Sequence, residues 1–360
     1  MNILFTSDLS GMGGGETSLL NLCKCLSVNN KIVVLCKKEG TLPRLLKAAG
    51  IKVYVLNYRD KVAILKNIIL IRNIIADERI DVIHSNDYIT SLFFYFLSIG
   101  KNCNNFWTCH GQWYKFAPII KFFIKKSNKT IFCVSSAVEN NLNSMGISNT
   151  VKSFLGIPIN EYRTAMHSDL RKKLYIDNDT VLLALIGRYQ SIKGQLKLAE
   201  AIRLLSANNI NIKCLLIGGC VFNTPDEAIY YTQVQMFIKE HSLENIIHII
   251  GERRDIPQIL HDIDALVIAS DNESFGMVAI EALAAGTVIL STPNDGVSEI
   301  LSFNKKFLAE TNDSAGLAKL INQFITDIDE YKYMFKQYAD DMVYKYDIES
   351  IADTYLHYFK

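Results

Sequence analysis

Apolar residues in this chain gather in short unbroken runs, and helically spaced amphipathic stretches separate the runs. Up to residue 155 the runs are "NILFTS", "KIVVLC", "IKVYVL", "DVIHSN", "NNFWTC", "TIFCVS" and "TVKSFL". Unbroken β-branched runs of this length predict strands buried on both faces. The stretches between them predict crossover helices, so the alternation argues for a parallel sheet covered by helices. Residues 156–180 lack either pattern and read as a polar linker carrying Pro158. A second series follows: "VLLALIGR", "NIKCLLIGG", "NIIHIIG", "DALVIAS" and "TVILST". The expected fold class is α/β, with two doubly wound, Rossmann-like parallel-sheet domains over 1–160 and 161–344. Ligands are expected at the carboxyl ends of the strands, in a cleft between the domains. Residues 345–360 are expected to form an amphipathic helix that returns to the first domain.

Composition changes this picture little. Of 360 residues, 49% are apolar and 21% charged, which suits a folded globular chain of two ordinary domains. "MNILFTSDLSGMGGG" has a short apolar run without a basic start and reads as a first strand rather than a signal peptide. "NIILIRNII" is broken by Arg72, so no transmembrane helix is expected. The eight cysteines lie mostly inside apolar runs and lack metal-ligand spacing. They read as reduced, buried thiols of a cytoplasmic protein. Charge is more informative. Residues 1–160 hold 19 basic against 9 acidic side chains, and the remainder holds 19 against 28. The basic half suits an anionic substrate or membrane surface, or it simply attracts the acidic half. It carries no nucleic-acid reading motif.

Three stretches carry candidate chemistry. In "GMGGGE", Gly13 and Gly14 open a helix after the first strand, but Glu16 stands where a dinucleotide fingerprint has its third glycine. Exposed amides there would meet phosphate or an acceptor group; otherwise this is a flexible turn. In "IGRYQSIKGQ", Gly187-Arg188 ends a strand and Lys193-Gly194 opens a helix, so two cations could reach one diphosphate or stand solvated. In "DNESFGMVAIEALAAG", Glu273 belongs to a loop, Gly276 permits close backbone approach, and a helix begins near Met277 with Glu281 about one turn in. Glutamate pairs at this spacing also arise by chance, so the spacing alone decides nothing.

Together these stretches resemble the retaining family 4 glycosyltransferases of the GT-B fold. The resemblance rests on Gly-Arg-x4-Lys-Gly, Glu-x7-Glu enclosing Phe-Gly, "GGGETSLLNLCKCL", "DVIHSND", "FWTCHG", "FCVSSAVENNL" and "GERRDIPQILHDIDALVIAS". It covers nearly the whole chain. "SFLGIPIN" and "NDGVSEI" depart from the family pattern, the second having Gly296 where two glycines are usual.

The resemblance implies a metal-independent transferase without cofactor. It would move a hexose-type sugar from a UDP- or GDP-type nucleotide-diphosphate sugar to a glycan or lipid-linked glycan hydroxyl, in bacterial surface polysaccharide synthesis. Arg188 and Lys193 would neutralise the diphosphate, with Gly187 beside them. The backbone of Phe275, Gly276, Met277 and Val278 would hold phosphate and sugar hydroxyls. Glu273 would grip the donor sugar, Glu281 the ribose, and the backbone at Arg253 would border the base. His110 would sit over the reacting sugar, while His84 and Asp87 would touch the acceptor or merely serve the local fold. A non-catalytic nucleotide-sugar-binding partner and a nucleotide-sugar epimerase of the same fold are the alternatives.

The segment 111–130 places Trp113, Phe116, Ile119, Ile120, Phe123 and Ile124 at helical spacing among Lys121, Lys125 and Lys126. It reads either as a core-facing helix or as an interfacial helix drawn to anionic lipid at the inner face of the cell membrane.

Overall fold

The computed structural model of the protein describes all residues except 59–63, 207–209 and 222–223. Each predicted run supplies a strand. The first series gives β1 (Asn2–Ser7), β2 (Lys31–Cys36), β3 (Lys52–Val55), β4 (Val82–Ser85), β5 (Asn104–Cys109), β6 (Thr130–Cys133) and β7 (Thr150–Lys152). The second gives β8 (Val181–Ile186), β9 (Ile212–Ile217), β10 (Ile247–Gly251), β11 (Ala265–Ile268) and β12 (Val288–Ser291). One unit comprises Met1–Ile157 and Lys345–Lys360, the other Pro158–Tyr344.

The first unit holds a parallel sheet ordered β3-β2-β1-β4-β5-β6-β7. Successive strand side chains point to opposite faces, so an unbroken apolar run feeds two cores at once. Ile3, Phe5, Ile32, Val34 and Cys36 enter one cluster, and Leu4, Val33 and Leu35 enter the other. The helix Gly14–Leu26 covers the first cluster together with the C-terminal helix Ile348–Phe359. Tyr355 stacks on Phe132 at 4.1 Å between ring centroids, and Phe359 packs at 4.9 Å from Phe106. Residue 157 anchors the returning chain: Ile157 N donates to Tyr346 O at 2.9 Å, and Ile348 N donates to Ile157 O at 3.0 Å.

The second unit holds a parallel sheet ordered β10-β9-β8-β11-β12. The expected linker proves to be structured. It contains the short helices Ile159–Arg163 and Leu170–Lys173, fastened by two aspartates just before β11. Asp262 accepts from His167 Nδ1 (2.8 Å) and Ser168 N (3.0 Å), and Arg171 reaches Asp264 (2.7 Å). These polar bonds leave no apolar periodicity, which is why the segment reads as linker in sequence.

Beyond the helix Ile64–Asp77, Glu78 is buried against Lys31 at 2.8 Å, and also bonds Lys52 and Tyr54. Those hydrogen bonds, Lys31 foremost, hold its carboxyl down at about 2. A carboxylate with a depressed folded pKa stabilises above its unfolded value of 4.5, and that contribution fades as pH falls through 2. Both lysines are half exposed, so screening leaves on the order of 1–2 kcal/mol. Glu78→Gln is expected to lower the melting temperature by a few degrees at pH 7, with the difference narrowing between pH 4.5 and 2 in thermal scans.

Candidate active site

In the second sheet, β9 and β10 lie on one side of β8 while β11 and β12 lie on the other. The chain direction therefore switches between β8 and β11, and the crevice at their carboxyl ends is the natural ligand site of such a sheet. After β8 come Gly187 and Arg188, the buried Tyr189, the turn Ser191–Lys193, and Gly194 before the helix Gln195–Ser206. Gly194 has φ +76°, and a β-carbon there would stand 2.1 Å from Ala269 O. The loop thus lies directly on the end of β11. The buried Gln195 amide donates to Arg188 O at 2.8 Å, and Asp271 N donates to Ile192 O at 2.9 Å.

The loop after β11 carries Glu273 and the buried Phe275, then turns at Gly276 (φ +101°) into the helix Met277–Ala285. Gly296 presses on this loop. Its N donates to Glu273 O at 2.8 Å, and a β-carbon on it would lie 2.4 Å from Phe275 N. Only a glycine allows the two backbones so close.

The two loops bring Lys193 and Glu273 together. Lys193 Nζ lies 2.9 Å from Glu273 Oε1 and 2.7 Å from Oε2, with both side chains mostly buried. They line a hollow with Ser270, Gly276 and Val278. Sequence reading gave these residues separate tasks, whereas the structure makes them one ion pair.

Glu281 does not line that hollow. It faces Tyr162, whose hydroxyl hydrogen-bonds its carboxylate. Desolvation pushes the carboxyl up to about 7; Tyr162 opposes the rise and Glu161 adds to it. Arg253, after β10, pairs with Asp255, its Nε donating at 2.8 Å.

In the first unit the chain direction switches between β1 and β4. Gly13 caps the helix Gly14–Leu26, and its N donates to Glu16 Oε2 at 3.0 Å, the glutamate half of a capping box. The glutamate that interrupts the fingerprint thus closes its own helix. His110 packs near Gly15, and burial pushes its imidazole down to about 4, partly offset by Asp87. It is therefore neutral at pH 7, and its Nε2 is buried without a hydrogen-bond partner among the described residues. Asp87 caps the helix Tyr88–Ser98, accepting from Thr90 N at 2.9 Å.

Two expectations need correction. His84 is a core residue and not an acceptor contact. It is 1% exposed, ringed by Phe5, Phe132, Tyr355 and Phe359, and its Nε2 bonds Thr108 Oγ1 at 2.9 Å. The segment 111–130 is helical only over Pro118–Ser127. Tyr114 and Phe116 stack before it and pack against Tyr88, because Pro118 cannot continue a helix backwards. Trp113, Ile119 and Phe122 are exposed beside Lys125 and Lys126, while Lys121 is partly exposed.

The sequence assigns no role to Gln195 or Tyr162, and it marks Gly296 only as a departure from the family pattern. Gln195 announces itself only by following Lys-Gly at a helix start. Tyr162 carries no signal at all.

Residues 167–342 match the family model of glycosyl transferases group 1, and residues 12–152 match that of Glycosyltransferase Family 4. The chain is 28% identical over 199 residues to a lipopolysaccharide 1,2-N-acetylglucosaminetransferase of Salmonella typhimurium, covering 54% of this chain and 52% of the relative. It is 23% identical over 242 residues to an N-acetyl-alpha-D-glucosaminyl L-malate synthase of Bacillus anthracis, covering 66% and 60%. It therefore spans little more than half the length of these curated relatives. Among solved structures it is similar to Anabaena Alr3699/HepE in complex with UDP and glucose, with TM-score 0.86, 22% identity, and 99% and 98% of the two chains covered. A glycosyltransferase from Rickettsia africae gives TM-score 0.88 at 22% identity, covering 100% and 97%. At such identity these structures speak for the fold alone.

The contact between Gly296 and Phe275 is directly testable. Gly296→Ala must push the Phe275 backbone aside, at about 1–3 kcal/mol. We expect a lower melting temperature and faster amide exchange confined to residues 273–278. Wild-type melting and protection would show that the loop yields freely.

Proposed function

We propose, on the premise that this chain belongs to the family 4 glycosyltransferases of the GT-B fold, that it is a retaining, metal-independent hexosyltransferase. The donor is a nucleotide-diphosphate sugar of UDP or GDP type, and the acceptor is a hydroxyl of a glycan or lipid-linked glycan. The observation that carries this reading is the Lys193–Glu273 pair at the β8–β11 switch, beside the start of the helix Met277–Ala285. A donor diphosphate entering there draws Lys193 and Arg188, and the first amides of the helix add partial positive charge. Glu273, released in part from Lys193, accepts hydrogen bonds from the sugar.

In the transfer, the bond between the anomeric carbon and phosphate oxygen breaks, and its electron pair leaves with the diphosphate. The acceptor oxygen attacks the same face of the oxocarbenium-like carbon, and its proton passes to a leaving phosphate oxygen. Lys193 and Arg188 stabilise the charge that develops on the departing group, which is where such a site gains most of its rate. His110, neutral at pH 7, is assigned a hydrogen bond to the sugar being moved. The names of the Salmonella relative and of the UDP-bound Anabaena structure support polysaccharide synthesis and a UDP-type donor.

A thermal-shift panel of nucleotide sugars, followed by transfer assays, tests the reading. One nucleotide sugar should raise the melting temperature by mass action and give a product with retained anomeric configuration by NMR. Lys193→Ala should cut turnover by at least about 100-fold. Transfer at the wild-type rate would reject its role, and binding without transfer would favour the non-catalytic alternative.

The acceptor side is proposed to meet an anionic membrane at the inner face of the cell membrane, in the cytoplasm. Exposed Trp113, Ile119 and Phe122 beside Lys121, Lys125 and Lys126 support this. The wild-type protein should co-sediment with anionic vesicles more than with neutral ones. Changing the three lysines to Glu should abolish the preference, and an unchanged preference would exclude this surface.

A further inference from the structure

The glutamate assigned to the ribose stands in an unusual setting. Glu281 lies in the middle of the apolar helix Met277–Ala285, and among the described residues no cation pairs with it. Its hydrogen bond comes from Tyr162, on the short helix Ile159–Arg163 just past the point where the chain enters the second unit. That helix is held on two sides. His261 Nε2 bonds Tyr162 O at 2.7 Å, and Arg163 bonds Asp340 at 3.0 Å and Tyr344 OH at 2.7 Å. The tyrosine is itself 8% exposed, so its hydroxyl has little freedom to turn away.

We propose that Tyr162 is a positioning residue for the nucleotide. Its hydroxyl donates to the Glu281 carboxylate, keeps it ionised, and turns its remaining lone pairs toward the vicinal hydroxyls of the ribose. This rests on the donor reading given above and on the ribose role that the family resemblance implies for Glu281, and adds to them the group that makes a desolvated glutamate fit to accept hydrogen bonds. A protonated carboxyl would offer a donor where the ribose also offers donors, and one of the hydrogen bonds would be lost.

The surrounding charges do not supply this service. Glu161 stands beside Tyr162 and disfavours ionisation. On the helix Ile256–Asp262, His261 is engaged by the Tyr162 carbonyl, and Asp262 is engaged by His167 and Ser168. The charged side chains of the neighbouring helix Asp295–Ile300, Asp295 and Glu299, are acidic and offer no cation. On Ile328–Met342, Asp340 is bound to Arg163, and Lys336 lines a separate hollow with Gly286 at the far end of the glutamate's helix. Removing the tyrosine hydroxyl therefore leaves the carboxylate with repulsion and desolvation unopposed, and its pKa moves up from about 7.

Calorimetric titration of the full chain with UDP and with GDP, between pH 5.5 and 8.5, tests this. In the wild type, binding of the better nucleotide should weaken as pH falls through about 7. Tyr162→Phe, which keeps the ring, should weaken binding about 3- to 10-fold at pH 7.5, the worth of one hydrogen bond to a charged group. It should also move the acid limb up by roughly half a pH unit or more. The phosphate's own ionisation is common to both proteins and cancels in their ratio. Glu281→Gln should bind weakly with no limb from this residue, and adding Tyr162→Phe to it should cost far less than it costs alone. Wild-type affinity and pH midpoint in Tyr162→Phe, or equal losses in both backgrounds, would overturn the assignment. If the wild type binds neither nucleotide, the donor reading fails first, and this one fails with it.

Discussion

Parallel strands cannot be joined by tight hairpins, so each must be followed by a crossover that carries the chain back to the start of the next strand. The loops leaving the carboxyl ends consequently collect at one end of each sheet, and a reversal of winding direction opens a crevice among them. Both sheets obey this constraint, at β1/β4 and at β8/β11. Residues far apart in sequence become neighbours without any local signal. Lys193 and Glu273 meet because the strands before them are adjacent in the second sheet.

The loops that line the second crevice are held in place by close backbone approach. Gly194 lies on Ala269, and Gly296 lies on Phe275, at distances no β-carbon could share. Between them these contacts set the separation of the loops that carry Lys193 and Glu273. Packing of main chain on main chain therefore positions the ion pair, and the charged side chains need little further support. The Gln195 amide serves the same end by holding the carbonyl of Arg188.

The central strands were legible because burial on both faces writes them as unbroken apolar runs, and the half-buried runs at β3, β7 and β10 became strands too. The Lys-Gly and Glu-x7-Glu stretches stand out only through the family resemblance they share, since neither spacing decides anything alone. What escaped depended on contacts between distant segments. The residues after Pro158 looked like a tether because polar bonds to Asp262 and Asp264, invisible to periodicity, hold them. Spacing alone placed Phe116 on a helix, but Pro118 and the stack with Tyr114 put it in an aromatic cluster. A histidine at a strand end suggested contact with a ligand, yet His84 lies within the core with its Nε2 bonded to Thr108. Tyr162 had no pattern to betray it, since its meaning lies wholly in the partner it meets.

The helix Ile348–Phe359 follows the whole second unit along the chain, yet it completes the core of the first. Until it leaves the ribosome, the face of β5 and β6 that carries Phe106 and Phe132 lacks its cover. The nascent chain must hold that apolar face through translation of the whole second unit. A fragment ending near residue 157 would inherit the same bare face, so the first unit needs the distant segment 345–360 to complete its core.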